Sequence, residues 1–128
     1  MKSRSTRNTR QRSAIESVFE RSERPLSVDE VHAASGRGEK RVGIATVYRS
    51  INALIDEGWL DAVAIAGEPT RYERAGKEHH HHFQCEGCNR TFDVAGCVRN
   101  IAKLAPPDFV VREHAVTLYG LCARCCAG

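Results

Sequence analysis

At 128 residues, with 41% apolar residues and a formal net charge of +3, the chain has room for one packed core or two small ones and excludes an array of large domains. No apolar run approaches the roughly 18 residues that a membrane-spanning helix needs, so no membrane partner is expected. The first residues carry Lys2, Arg4, Arg7, Arg10 and Arg12 with no apolar segment behind them, which argues against a secretory signal and predicts a cytoplasmic protein with reduced thiols.

Read alone, that basic run is either a solvated tail or an arm that contacts phosphates. From Thr9 to Arg21, Ile15, Val18 and Phe19 fall three and four residues apart on an otherwise charged stretch, which predicts a first helix. Pro25 and Leu26 interrupt it. Ser27 followed by Glu30 is a capping-box pattern for a second short helix ending near Ala34. Ser35 to Gly43, with three glycines, reads as a loop. From Ile44 onward, Val47, Ile51, Leu54 and Ile55 recur at helical spacing and Gly58 supplies a stop, which predicts the longest and clearest helix. Trp59 to Ala66 and Thr70 to Arg74 are strand-like on either side of Gly67, Glu68 and Pro69, a β-hairpin pattern. Three helices and then a hairpin is the order of a winged helix.

The composition changes at Lys77, beyond which lie all six cysteines and five of the six histidines. The boundary is placed there, with one domain over residues 1–76 and another over residues 77–128. In the second, short strands are expected around Phe83 to Gln84 and Thr91 to Val94. A helix is expected from about Cys97 to Leu104, stopped by Pro106 and Pro107, and a strand from Phe109 to Tyr119.

Cys85 with Cys88, and Cys122 with Cys125, are two pairs each separated by two residues. Each pair can turn two thiolates toward one ion, and together they make a closed tetrahedral Zn²⁺ site of structural type. Thioredoxin-like redox use is the competitor, but no βαβ pattern precedes either pair. Cys97 reads as an inert buried thiol, with metal ligation and redox sensing as alternatives, and Cys126 as a bystander. His79, His80, His81 and His82 are consecutive; in an extended segment they divide by alternation into the pair His80 and His82 and the pair His79 and His81. That division allows two separate metal sites, and acidic residues such as Asp61, Glu73 and Asp93 are candidates to complete an exchangeable one. Imidazole does not identify the ion.

Three stretches together resemble the ferric uptake regulator family: GIATVYR from Gly43 to Arg49, EHHHHFQCEGC from Glu78 to Cys88, and HAVTLYGLCARC from His114 to Cys125. The resemblance covers nearly the whole chain. It implies an α+β protein with an N-terminal winged helix-turn-helix domain, a hinge, and a small α/β domain that dimerises and carries the four-cysteine zinc site. It further implies a regulatory site from Glu73, His80, His82 and Asp93, with Asp61 matching an aspartate ligand of some zinc-sensing members. A further site would use His79, His81 and His114. Iron- and peroxide-sensing members place a histidine where this chain has Pro25, so zinc is the expected ion, with an iron-, manganese- or peroxide-sensing member as the alternative reading and Fe²⁺ or Mn²⁺ as alternative occupants. The acidic ligand expected at the further site falls near Asn100, beside Arg99, which leaves that site short of a ligand unless Cys97 replaces it.

The expected function is therefore metal-responsive transcriptional repression by a homodimer on double-stranded operator DNA. Thr46, Tyr48 and Arg49 would face the bases or phosphates of the major groove, and Arg10 and Arg12 would contact phosphates. Of other classes, a nucleobase deaminase needs a glutamate one residue after its histidine ligand and a proline before its cysteine pair. Gln84 precedes Cys85 and no His-x-Glu occurs, so no enzyme and no small-molecule substrate are expected. A zinc-ribbon interaction module without DNA binding is the remaining alternative.

Overall fold

A computed structural model describes residues 2–36 and 41–128, with side chains from residue 9 onward. The side chains of Lys2, Arg4 and Arg7 and residues 37–40 of the expected loop lie outside the described residues. The chain divides into two units, Met1–Gly76 and Lys77–Gly128.

The first unit begins with α1 (Lys2–Arg21), so the helix expected from Thr9 continues back through the basic run. A two-residue strand β1 (Leu26–Ser27) leads into α2 (Val28–Ala34). The capping box forms as the sequence requires: Glu30 N–H donates to Ser27 Oγ at 3.2 Å and Ser27 N–H donates to Glu30 Oε1 at 3.1 Å. Next come α3 (Ile44–Asp56), β2 (Leu60–Val63) and β3 (Arg71–Arg74). Gly58 takes a φ of +78° at the end of α3, a conformation that spares it the Cβ clash any other residue would meet. The hairpin is joined by β1 in an antiparallel sheet of order β1-β3-β2. Ile15, Val18 and Phe19 of α1 pack with Val31, Val47, Ile51, Leu54 and Leu60 in one buried cluster. Trp59 stands edge-on to Phe19 at 6.4 Å, and the Arg74 guanidinium lies 4.0 Å over the Trp59 ring.

The second unit contains β4 (His80–Cys85), β5 (Thr91–Ala95), a single 3-10 turn over Ile101–Leu104, β6 (Thr117–Gly120) and a short α4 (Ala123–Ala127). The sheet order is β5-β4-β6, with β5 antiparallel and β6 parallel to β4. Two expectations are corrected. The helix from Cys97 shrinks to the 3-10 turn because Asn100 sits in the left-handed region at φ 63° and interrupts it. The long strand from Phe109 is confined to Thr117–Gly120: Phe109, Val110 and Val111 are exposed and no strand pairs with them among the described residues. α4 was not foreseen. Among the described residues, no helix is long and apolar enough to cross a membrane.

Candidate metal centres and nucleic-acid face

The side of α3 that carries Val47, Ile51 and Leu54 is buried, which turns Ile44, Tyr48 and Arg49 outward. Arg49 Nη2 donates to Thr46 Oγ1 at 3.0 Å, so the half-buried Thr46 aligns the guanidinium one turn along the helix. Tyr48 lines a cavity of about 240 Å³ with Ser27, Thr70 and Tyr72, which makes α3 and the β2–β3 hairpin two walls of one concave surface. Arg10 is exposed. Arg12 is engaged elsewhere: its guanidinium donates to both carboxylate oxygens of Glu57 at 2.8 and 2.5 Å, and to Glu16 Oε1 at 3.3 Å. The Arg12 hydrogen bond holds the Glu57 carboxyl below its ordinary pKa.

Cys85, Cys88, Cys122 and Cys125 converge, their sulfurs all within 4.8 Å of one another. Cys88 Sγ and Cys122 Sγ are 3.9 Å apart, close to the edge of roughly 3.8 Å that a tetrahedron with Zn–S bonds of about 2.3 Å would have. The buried Cys85 Sγ accepts backbone N–H groups from Gly87 at 3.3 Å, Cys88 at 3.5 Å and Cys122 at 3.3 Å. Those donors stabilise the thiolate and bring its pKa down to about 6. Cys125, donating to the other sulfurs, is pushed up to about 12. The Cys85 sulfur is thus ready as an anion, while Cys125 holds a proton that an ion must displace. The exposed Cys126 joins no cluster among the described residues.

β4 separates the histidines as a strand should. On one face His82 lies opposite Asp93 of β5, with His80 two residues along. Asp93 Oδ1 is 3.6 Å from both His80 Nε2 and His82 Nε2, and it is buried with no hydrogen-bond partner. The other oxygen accepts from Lys77 Nζ at 2.6 Å. On the opposite face are His79 and His81, joined by His114 from the segment before β6 and by Cys97 just past β5. Burial, then the charge of His79 and the other imidazoles, holds His81 below its ordinary pKa and so neutral. Cys97 is exposed, which corrects the expectation of a buried thiol.

Glu73 is buried on β3, paired in register with Asp61 of β2; Asp61 is exposed and joins no ligand cluster among the described residues. Lys77 as the partner of Asp93 had no sequence signal, because only strand pairing reveals it. Cys97 did carry one, in the Gly96 before it: at φ 97° that residue turns the chain as β5 ends.

Sequence comparison adds an independent line. The profile described as the ferric uptake regulator family matches residues 3–119. A ferric uptake regulation protein of Campylobacter jejuni is 33% identical over 87 residues, covering 66% of this chain and 55% of that protein. The chain therefore spans little more than half the length of that relative. A zinc uptake regulation protein of Mycobacterium tuberculosis is 29% identical over 122 residues, covering 93% of this chain and 94% of that protein. Among solved structures, the Helicobacter pylori ferric uptake regulator matches with a TM-score of 0.69 at 27% identity, over 90% of this chain and 79% of that one. A zinc-bound manganese uptake regulator gives 0.72 at 26% identity, over 87% and 86%.

Proposed function

The chain belongs to the ferric uptake regulator family, and from that premise we propose that it is a metal-responsive repressor that binds operator DNA as a homodimer and senses zinc. The observation that carries the reading is the buried, unbonded Asp93 oxygen 3.6 Å from two imidazole nitrogens. That separation is too long for a hydrogen bond and suits donors sharing an ion with bonds of about 2.0–2.2 Å. His80, His82 and Asp93 would hold the regulatory ion, and the resemblance assigns the remaining carboxylate to Glu73 or Asp61. An ion held there would supply positive charge at Asp93 Oδ1, the oxygen that the Lys77 ammonium leaves free for it.

Two imidazoles and a carboxylate suit tetrahedral zinc, and Pro25 stands where iron and peroxide sensors of the family carry a histidine. Cys85, Cys88, Cys122 and Cys125 would hold a second, structural zinc. Exposed apolar residues support a homodimer: Val98, Leu104, Phe109, Val110, Val111, Leu118, Tyr119 and Leu121 all lie in the second unit. Tyr48 and Arg49 would read DNA, with Thr46 orienting Arg49 and Arg10 supplying phosphate affinity. Arg12, held by Glu57, steadies the end of α3 instead. Because ion and operator each favour the same state, their binding is reciprocally coupled.

The test uses a duplex selected from a random library by the zinc-loaded protein, with binding followed by fluorescence anisotropy as Zn²⁺, Fe²⁺ or Mn²⁺ is titrated. Zn²⁺ is expected to restore binding at the lowest free concentration. A His80→Ala, His82→Ala variant should stay unresponsive while keeping its thiolate-bound zinc. Activation by Fe²⁺ or Mn²⁺ at lower free concentration, or a normal response of the double variant, overturns the zinc assignment; failure to select any duplex favours the interaction-module alternative.

A further inference from the structure

We propose that Lys77 sets the metal preference of the regulatory centre: its ammonium occupies one oxygen of Asp93, confines that carboxylate to a single metal bond, and so favours four-coordinate Zn²⁺ over oxygen-preferring cations such as Mn²⁺. This deepens the metal-responsive reading and rests on it. The two oxygens of Asp93 are differently engaged. Oδ2 accepts from Lys77 Nζ at 2.6 Å, a short charge-assisted hydrogen bond. Oδ1 is buried without a hydrogen-bond partner and stands 3.6 Å from both His80 Nε2 and His82 Nε2. Strand register produces this division: Asp93 of β5 pairs with His82 of β4, and Lys77 lies just ahead of His80, where β4 begins.

A carboxylate binds a cation through one oxygen or through both, and the choice carries selectivity. Zn²⁺ is satisfied by four donors, so two imidazoles and one carboxylate oxygen leave it a single position to fill. Mn²⁺ prefers oxygen donors in six-coordinate surroundings, and a carboxylate offering both oxygens moves a site in that direction. With Oδ2 held by Lys77, the second oxygen is withdrawn from the ion. The Lys77 charge also repels every divalent cation. That repulsion weighs most on Mn²⁺, which gains less from the two imidazoles in the usual order of divalent affinities. The Lys77 and Asp93 side chains are 31% and 23% exposed. An ion pair at that exposure contributes little to folding, and a role in stability alone would leave the order of metal affinities untouched.

The experiment measures metal binding by the full chain with zinc retained on the four-cysteine site, as verified by metal analysis. Mn²⁺ is followed by the loss of its free-ion EPR signal and Zn²⁺ by competition with a chromophoric chelator. The exchangeable ion is the part of this binding that His80→Ala, His82→Ala removes. Lys77→Met is expected to narrow the preference for Zn²⁺ over Mn²⁺ about tenfold or more, as disturbing the support of a metal ligand does, chiefly by tightening Mn²⁺. Lys77→Arg, which still occupies Oδ2, should keep the natural preference. Infrared difference spectra of protein labelled with ¹³C-aspartate read the coordination directly. The separation of the two carboxylate stretches should narrow in Mn²⁺-loaded Lys77→Met, as Asp93 turns both oxygens to the ion, and stay wide in the natural protein. An unchanged preference in Lys77→Met, an equal loss in Lys77→Arg, or the same stretch separation in both proteins overturns the proposal. If His80→Ala, His82→Ala binds both ions as the natural protein does, the regulatory site itself fails and takes this inference with it.

Discussion

Gly87 shows how closely the thiolate site is built. A Cβ at this position would lie 2.8 Å from Cys125 Sγ and 3.0 Å from Cys125 Cβ, closer than packed atoms tolerate. Gly87→Ala must therefore displace Cys125 from its partners. We expect about a 10–100-fold loss of zinc affinity, the range seen when groups supporting a metal ligand are disturbed; a chelator competition that finds unchanged affinity refutes the geometry. His81 gives a pH prediction. Its folded pKa lies below the ordinary 6.5, so below that pH the unfolded chain binds the extra proton first. The contribution to stability is complete above pH 6.5 and is lost as pH falls through the folded value. A proton-NMR titration of protein that carries zinc on the four cysteines alone should place the His81 midpoint below 6.5; a midpoint above 6.5 contradicts this.

At the scale of elements, local signals were the reliable ones. Ser27 and Glu30 announced α2 because both halves of a capping box lie within one turn, and Gly58 announced the end of α3 for the same reason. Ser27→Ala removes the Oγ that satisfies Glu30 N–H, and should destabilise the first unit by about 0.5–2 kcal/mol in urea unfolding. Ser27→Asp, which keeps a capping oxygen, should recover most of it. The misreadings have a common physical origin. A strand such as β1, two residues long, exists only because β3 offers Tyr72 and Arg71 as partners, and nothing in Leu26 and Ser27 records that. Phe109, Val110 and Val111 look like a strand by composition, but a strand needs an edge to pair with. The segment from Cys97 has helical spacing, yet Asn100 in the left-handed region leaves one tight turn.

Across the whole molecule, the two units are stabilised by different means. Among the described residues, every buried aliphatic and aromatic side chain belongs to the first unit, whereas the second buries only Cys85, His81, Gln84 and Thr91. We therefore expect the second to depend on the zinc proposed for its four cysteines. A structural zinc contributes an apparent 10–16 kcal/mol or so in small domains, as much as the entire stability of a typical protein of about 5–15 kcal/mol. Stripping zinc with a strong chelator under reducing conditions should abolish hydrogen-exchange protection in β4, β5 and β6 and leave that of α1, α2 and α3 in place. Equal protection in both units after zinc loss would refute this dependence. The sequence by itself determined the family, the three helices and hairpin, and the paired cysteines, because each is written in residues close together along the chain. Only the tertiary structure decided that Asp93 faces His80 and His82, that Lys77 and Arg12 are engaged with carboxylates, and that Cys97 meets His81 and His114. Those contacts join residues far apart in sequence, and strand register and turn geometry, which no local pattern encodes, bring them together.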